Sequence, residues 1–189
     1  MTTPSVPSGL LDGSVTDVAR RLLGCSVATG EGDSEVVVRL TEVEAYDGPN
    51  DPASHAYRGR TKRNAPMYGA AGTVYVYLSY GIHWCMNITV APVGTPSAVL
   101  LRGGDVVKGL DIAVERRGRT DHISDGPGKL CQALGVDGSF SGSALGERIG
   151  LTDADRPPNQ AQILRTPRIG ISQATNRMWR FVLASEASA

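Results

Sequence analysis

Between positions 36 and 80 the chain gathers residue types that could do chemistry together. The run Thr-Glu-Val-Glu-Ala-Tyr (41–46) offers Glu42, Glu44 and Tyr46. His55 follows, then Arg58, Arg60, Lys62 and Arg63 with no acid among them. Tyr75, Tyr77 and Tyr80 come next. A carboxylate or histidine can move a proton. An electron-rich ring can stack on a cationic or planar group. A basic loop on an otherwise neutral protein can seat phosphate. The combination points to chemistry on a charged, flat-ringed substrate. The same pattern also fits tyrosine cross-strand pairs and solvated charge.

Positions 36–46 read as a strand. Val36, Val38, Leu40, Glu42, Glu44 and Tyr46 then share one face, because the strand period is two. That face starts apolar and ends on two carboxylates and a ring. Spacing leaves Glu42 and Glu44 equivalent. Residues 73–79 read as a second strand, with Tyr75 and Tyr77 on one side and Leu78 and Tyr80 on the other. Ser79-Tyr80-Gly81-Ile82 reads as a hairpin turn, which puts Tyr80 at a tip rather than in a core. The return strand carries Asn87. Residues 97–102 form a short strand on which Arg102 shares parity with Ala98 and Leu100. It therefore points inward and needs an anionic partner.

The flanking elements follow from caps and periodicity. Ser14 and Asp17 begin a helix with Val15, Val18, Ala19, Leu22 and Leu23 on its buried face. A helix is expected around 106–117. Another runs over 125–135, with Asp125 as its cap, Pro127 in its first turn and Gly135 at its end. The glycines before Lys129 permit close approach of a phosphate. A strand is expected near 148–151, and final strands at 168–171 and 178–183. Residues 1–12 and 184–189 read as loose tails, and no linker divides the chain. Hairpin-linked strands with a few segregated helices imply an α+β single domain, built on a mainly antiparallel sheet.

Composition bounds the function. The chain has 189 residues and zero formal net charge, so any anion binding must come from a local patch. The three cysteines are far apart, without Cys-x-x-Cys spacing, which fits a reducing compartment. His55, His83 and His122 show no metal-ligand spacing. The first residues lack a signal-peptide pattern, and no apolar run approaches the ~20 residues of a membrane span. The expectation is a soluble cytoplasmic protein without metal or other cofactor. A metal-dependent hydrolase built on His55, Glu42, Glu44 and Asp residues, and a nucleic-acid-binding module without catalysis, are the competing readings.

The motifs resemble those of the alkyladenine (3-methyladenine) DNA glycosylase family. The resemblance lies in 41–46, Ser54-His55, Arg63-Asn64, Gly-Thr-Val-Tyr-Val-Tyr (72–77), Tyr80-Gly81, Cys-Met-Asn-Ile (85–88), Val-Leu-Leu-Arg (99–102) and Gly-Pro-Gly-Lys-Leu-Cys-Gln-Ala-Leu (126–134). It continues more weakly through 168–170 and 179–181. It implies a curved, barrel-like sheet with surrounding helices and a protruding hairpin. It also implies a monomer that excises damaged purines from double-stranded DNA by hydrolysis, without strand cleavage. By resemblance, Glu44 activates water and Arg102 helps hold it. Tyr46, His55, Tyr77 and Asn87 line a pocket for the flipped base, and Tyr80 fills the gap left in the DNA. Arg58, Arg60, Lys62, Arg63 and Lys129 are the candidates for backbone contact. Two departures stand out: Ala71 precedes Gly72, where relatives often have proline, and His83-Trp84 follow the hairpin tip.

Overall fold

The strand that carries the two glutamates runs through the middle of the molecule. A computed structural model describes residues 6–184. In chain order it contains helix α1 (Val15–Leu22) and strands β1 (Ser26–Thr29), β2 (Val36–Asp47), β3 (Val74–Ser79), β4 (His83–Thr89) and β5 (Ser97–Lys108). Helices α2 (Leu110–Arg117) and α3 (Pro127–Leu134) follow, then β6 (Gly150–Thr152), β7 (Ile163–Thr166) and β8 (Arg180–Leu183). The strands form one curled sheet in the order β3-β4-β5-β2-β1-β6, with β8 pairing both β2 and β7. The strand pairings among the described residues are antiparallel. This is the expected α+β single domain with a half-barrel sheet.

β2 changes neighbours halfway along. Its first half pairs with β1 and its second half with β8, while β5 follows it along the other edge. At the changeover the ladder is irregular. Leu40 faces Gly104 and Glu42 faces Gly103, so Thr41 is an extra residue on β2. Glu42 faces Gly103 and Val43 faces Leu101, so Arg102 is an extra residue on β5. Such bulges re-aim side chains. Val36, Val38 and Leu40 enter the core before the irregularity, and Val43 and Ala45 enter it afterwards. Glu42, Glu44 and Tyr46 therefore do not continue the apolar stripe, as simple alternation predicts. They share a face, but it is the one turned away from the core. Gly104 makes the close strand contact possible: a Cβ there would lie 2.2 Å from the Arg39 carbonyl oxygen.

Several boundaries differ from the sequence reading. β5 does not stop at Arg102. Its pairing with Val37 and Val38 carries the strand to Lys108, and the helix starts only at Leu110. The segment 168–171 is a loop, and the strand lies earlier, at Ile163–Thr166. Gly126, not Asp125, precedes α3, and Asp125 instead accepts from Lys129. Ser14 does cap α1, accepting the Asp17 N–H at 3.2 Å, and Gly135 ends α3 in a left-handed conformation. Leu10 and Leu11, within the stretch read as a tail, are buried in the core. Burying leucine is worth about 1.5–3 kcal/mol per side chain, enough to dock a short segment. The C-terminal tail beyond Ala184 lies outside the described residues.

β3 and β4 form a hairpin. The Ile82 N–H donates to the Ser79 carbonyl at 3.0 Å, and Tyr80 and Gly81 both have positive φ, 51° and 70°. That is the twist a tight hairpin requires. Glycine adopts it freely, whereas a tyrosine there is strained.

Candidate active site

A cleft of about 860 Å³ opens between the β3–β4 hairpin, the loop after β2, the start of α3 and the segment 169–173. Tyr46, His55, Tyr77, Asn87, Arg102 and Tyr80 all line it, as do Arg58, Arg63 and Lys129. Glu44, Arg60 and Lys62 are not among its lining residues.

Glu44 lies just beneath the surface of the cleft and is fully buried. The groups around it are themselves lining groups. The Tyr46 hydroxyl donates to its Oε2 at 2.8 Å, and the Ile169 N–H donates to its Oε1 at 2.8 Å. Arg102 Nη1 lies 3.3 Å from Oε2. An ionised carboxylate has about four acceptor sites. Two hydrogen bonds and the ion pair to Arg102 leave acceptor capacity unused.

Glu42 is in a different position. Its Oε1 takes Arg102 Nε at 2.6 Å and Arg180 Nε at 2.7 Å. Burial acts to raise its pKa, but the bonds from Arg180 and Arg102 outweigh burial and leave it lowered. Glu42 is thus a counter-ion clamped between two guanidinium groups. Burial also works against the Arg102 charge, but Glu44 and Glu42 overcome it and raise the Arg102 pKa.

The aromatic wall is built from the hairpin and the loop after β2. Strand period puts Tyr75 and Tyr77 on one side of β3, with ring centroids 5.5 Å apart. His55 meets the Tyr77 ring edge-on at 4.5 Å and shares a 3.0 Å hydrogen bond through Nδ1 with the Tyr75 hydroxyl. Burial, and then the Arg63 charge, lower the His55 pKa, so the ring is neutral at neutral pH. Burial raises the pKa of Tyr46 and of Tyr77; the Glu44 charge adds to it at Tyr46, and Cys85 at Tyr77. Both stay protonated hydroxyls. Asn87 is buried opposite Tyr75 and donates to its carbonyl at 3.0 Å. Asn64 ties the loop together by donating to the carbonyls of His55 and Gly59.

Two regions beyond these motifs complete the cleft. The segment 169–173 forms one wall, and Arg117 reaches the lining from α2. The basic residues divide. Arg63 lies over the Tyr77 ring at 5.5 Å and donates to the Leu78 carbonyl, while Arg60 lies over Tyr68 at 5.6 Å. Among the described residues, no group of three or more His, Cys, Asp or Glu is placed to hold a metal ion. No helix among them is long and apolar enough to cross a membrane.

A family model for methylpurine-DNA glycosylase matches residues 10–187. The chain belongs to the methylpurine-DNA glycosylase family. It is 46% identical over 202 residues to a protein of Frankia casuarinae, covering 99% of this chain and 93% of that one. It is 49% identical over 180 residues to a protein of Nocardia farcinica, covering 88% and 82%. A protein of Agrobacterium fabrum is 44% identical over 189 residues, covering 98% and 92%. All three are provisionally named 3-methyladenine DNA glycosylase. As a methylpurine-DNA glycosylase, this chain is a hydrolase of DNA repair that acts on DNA carrying damaged bases.

In the methylpurine-DNA glycosylase cleft, sequence reasoning passed over Asp51, Arg168, Arg180 and the Ile169 N–H. Arg168-Ile169 and Arg180 lay in the weakest stretches of the resemblance. Asp51 was visible only as part of a Gly-Pro-Asn-Asp-Pro turn signal.

Proposed function

We propose that this glycosylase flips alkylated or deaminated purines, of the 3-methyladenine, 7-methylguanine and hypoxanthine class, out of duplex DNA. It then hydrolyses the N-glycosidic bond with water deprotonated by Glu44. The observation that carries this reading is the contrast between the two glutamates. Glu42 is held by Arg102 and Arg180, whereas every donor around Glu44 comes from a residue that lines the cleft. The acceptor capacity left on Glu44 takes the water, which reaches it between those lining groups. Arg102 orients carboxylate and water together. As the bond to the base breaks, positive charge develops on the sugar, and a buried carboxylate stabilises it strongly.

Tyr46, His55 and Tyr77 enclose the flipped base. A cationic alkylpurine against a tyrosine face gains about 0.5–2 kcal/mol, depending on desolvation. Asn87, buried and bonded to the Tyr75 carbonyl, is a fixed obstacle to the 2-amino group of guanine. Tyr80 enters the stack where the base leaves it, offsetting part of the few kcal/mol that extrusion costs. Arg58, Arg60, Lys62, Arg63 and Lys129 contact the DNA backbone. Lys129 lines the cleft, but its amine is engaged by Asp125 at 3.0 Å. It does not serve as a Schiff-base nucleophile, so the enzyme releases base without cutting the strand.

The test is a base-release assay on duplexes that each carry one damaged purine, without added metal, with strand cleavage scored in parallel. Release by the parent, release slowed about 10²–10⁴-fold in Glu44→Gln and no strand cleavage are expected. Equal release by Glu44→Gln and the parent would overturn the mechanism.

A further inference from the structure

Asp51 and Arg168 are both fully buried at the side chain and join segments 117 positions apart. Arg168 Nη1 donates to Asp51 Oδ2 at 2.5 Å, and Nη2 donates to Oδ1 at 2.8 Å. Nη1 also donates to the Ala45 carbonyl at 2.8 Å. The guanidinium carbon lies 4.5 Å from the Tyr46 ring centroid and 5.3 Å from that of Trp179. Arg177 lies 4.6 Å from the Trp179 ring centroid and approaches Asp51 to 3.8 Å. The next residue after Arg168 is Ile169, whose N–H donates to Glu44.

One arginine therefore fixes the catalytic stretch of β2 at three points. It holds the carbonyl between Glu44 and Tyr46, it covers a face of the Tyr46 ring, and its following peptide holds the Glu44 carboxylate. A pair that served only the core has no need of this. Apolar side chains of similar size fill such space without burying charge, and buried ion pairs are weak stabilisers on balance. Arg168 Nε also has no hydrogen-bond partner among the described residues, an unfavourable state for a buried donor. What a planar two-pronged fork supplies is orientation.

We propose that the Arg168–Asp51 pair positions the active site: it sets the plane of Tyr46 and, through the Ile169 peptide, the orientation of the Glu44 carboxylate. Arg168 and Asp51 are positioning residues, and the proposal rests on the role given to Glu44 above. The Tyr46 wall and the base-activating carboxylate are then aligned with each other by one shared device.

The experiment compares single-turnover base release, affinity for a lesion duplex and thermal melting. The variants are the double replacement Arg168→Met with Asp51→Leu, and the single replacement Arg168→Lys. The double variant removes both charges together, the change best tolerated by a buried site. It should melt near the parent temperature and bind the lesion duplex, yet release base about 100-fold more slowly, the scale expected from misplacing a reacting group. Arg168→Lys keeps the charge but not the fork, and should fall between. Either variant, folded and releasing base at the parental rate, overturns the proposal. So does a rate that follows melting temperature across the variants and recovers on cooling, because that is the mark of a purely structural pair. A double variant that does not fold leaves the decision to Arg168→Lys by the same criteria. The parent and Glu44→Gln are run alongside. A parent with no release sinks the proposed function, whereas an active parent, a slowed Glu44→Gln and a fast double variant sink only the positioning role.

Discussion

At the floor of the cleft Glu44 is fully buried, held by Tyr46, Ile169 and Arg102. At the hairpin tip Tyr80 is 85% exposed, with Ile82 70% exposed beside it. The floor is wired to elements from both ends of the chain, while the tip hangs on one turn. The floor holds charge where reorganisation would be costly, and the tip holds a strained residue where nothing packs against it. A positive-φ tyrosine costs of order 1–3 kcal/mol and persists where surrounding structure or function demands it. Under the proposed function the two regions would divide the reaction into steps: chemistry needs atoms that do not move, and insertion into DNA needs a ring already out in solvent. If this division is right, changes at the floor act on the rate of base release and changes at the tip act on binding.

The largest effect is expected at the floor. Glu44→Gln keeps the shape and hydrogen-bonding reach of the side chain but not its charge. Single-turnover release should fall about 10²–10⁴-fold, the usual contribution of a positioned base, while affinity for the lesion duplex is kept. Loss of binding in step with loss of rate would dissolve the distinction between floor and tip.

Tyr80→Ala should do the reverse. It removes the ring proposed to refill the stack, so affinity for a paired lesion should weaken about ten-fold, a fraction of the extrusion cost. At saturating enzyme the release rate should change less. The sharper version places the lesion in an unpaired bulge, where extrusion is nearly free. There the variant and the parent should bind alike. A penalty of the same size on bulged and paired substrates would show that Tyr80 is not a wedge.

The two regions also differ in how far they could be read from sequence. The tip is local: alternation over 73–79 and the Tyr-Gly pair suffice to place Tyr80. The floor is not local. Strict alternation put Glu42, Glu44 and Tyr46 on the core face, and only the paired bulges at Thr41 and Arg102 turn them to the other side. A bulge depends on two strands at once, and neither sequence shows it alone. The Asp51–Arg168 pair spans 117 positions and carries no spacing signal. Arg168 also explains why 168–171 is not a strand: its side chain turns inward to Asp51 instead of standing on a sheet. The extension of β5 beyond Gly103-Gly104 was hidden for a similar reason. Glycine weakens a strand on its own, whereas here Gly104 lets the Arg39 backbone come close and Gly103 lets the Ser124 carbonyl do so.

His55 lies between floor and tip and gives a smaller, pH-dependent effect. Its folded pKa lies below the ordinary value of 6.5, because burial and then Arg63 disfavour the cation. As pH falls through the ordinary value, the unfolded chain takes up a proton that folded His55 refuses. Stability falls with pH across that window, down to the folded pKa, and above it His55 contributes no pH dependence. Melting measured from pH 7.5 to 5 should show this loss, and His55→Gln should show less of it. Identical pH dependence in the two proteins would assign the titration elsewhere.

The smallest effects belong to the rim, where the comparison turns on whether a cation is already balanced. Lys62 is exposed in the loop after β2. Lys129 is half-buried at the start of α3, where Asp125 takes its ammonium at 3.0 Å and His122 binds the other Asp125 oxygen. A phosphate that approaches Lys129 also approaches a carboxylate, so part of the attraction is cancelled. Lys62→Ala should therefore reduce the salt dependence of DNA binding by about one unit of slope, the value for one lost phosphate contact. Lys129→Ala should reduce it by less, and Asp125→Asn should tighten binding modestly. The opposite ranking, a full unit from Lys129 and none from Lys62, would move the phosphate seat to the Gly126–Lys129 turn. Gly128 there already packs so tightly on His83 that a Cβ would sit 2.8 Å from the His83 Cβ. In that case the start of α3 and the hairpin would grip the DNA as one unit, and the tip would be less independent of the body than its exposure implies.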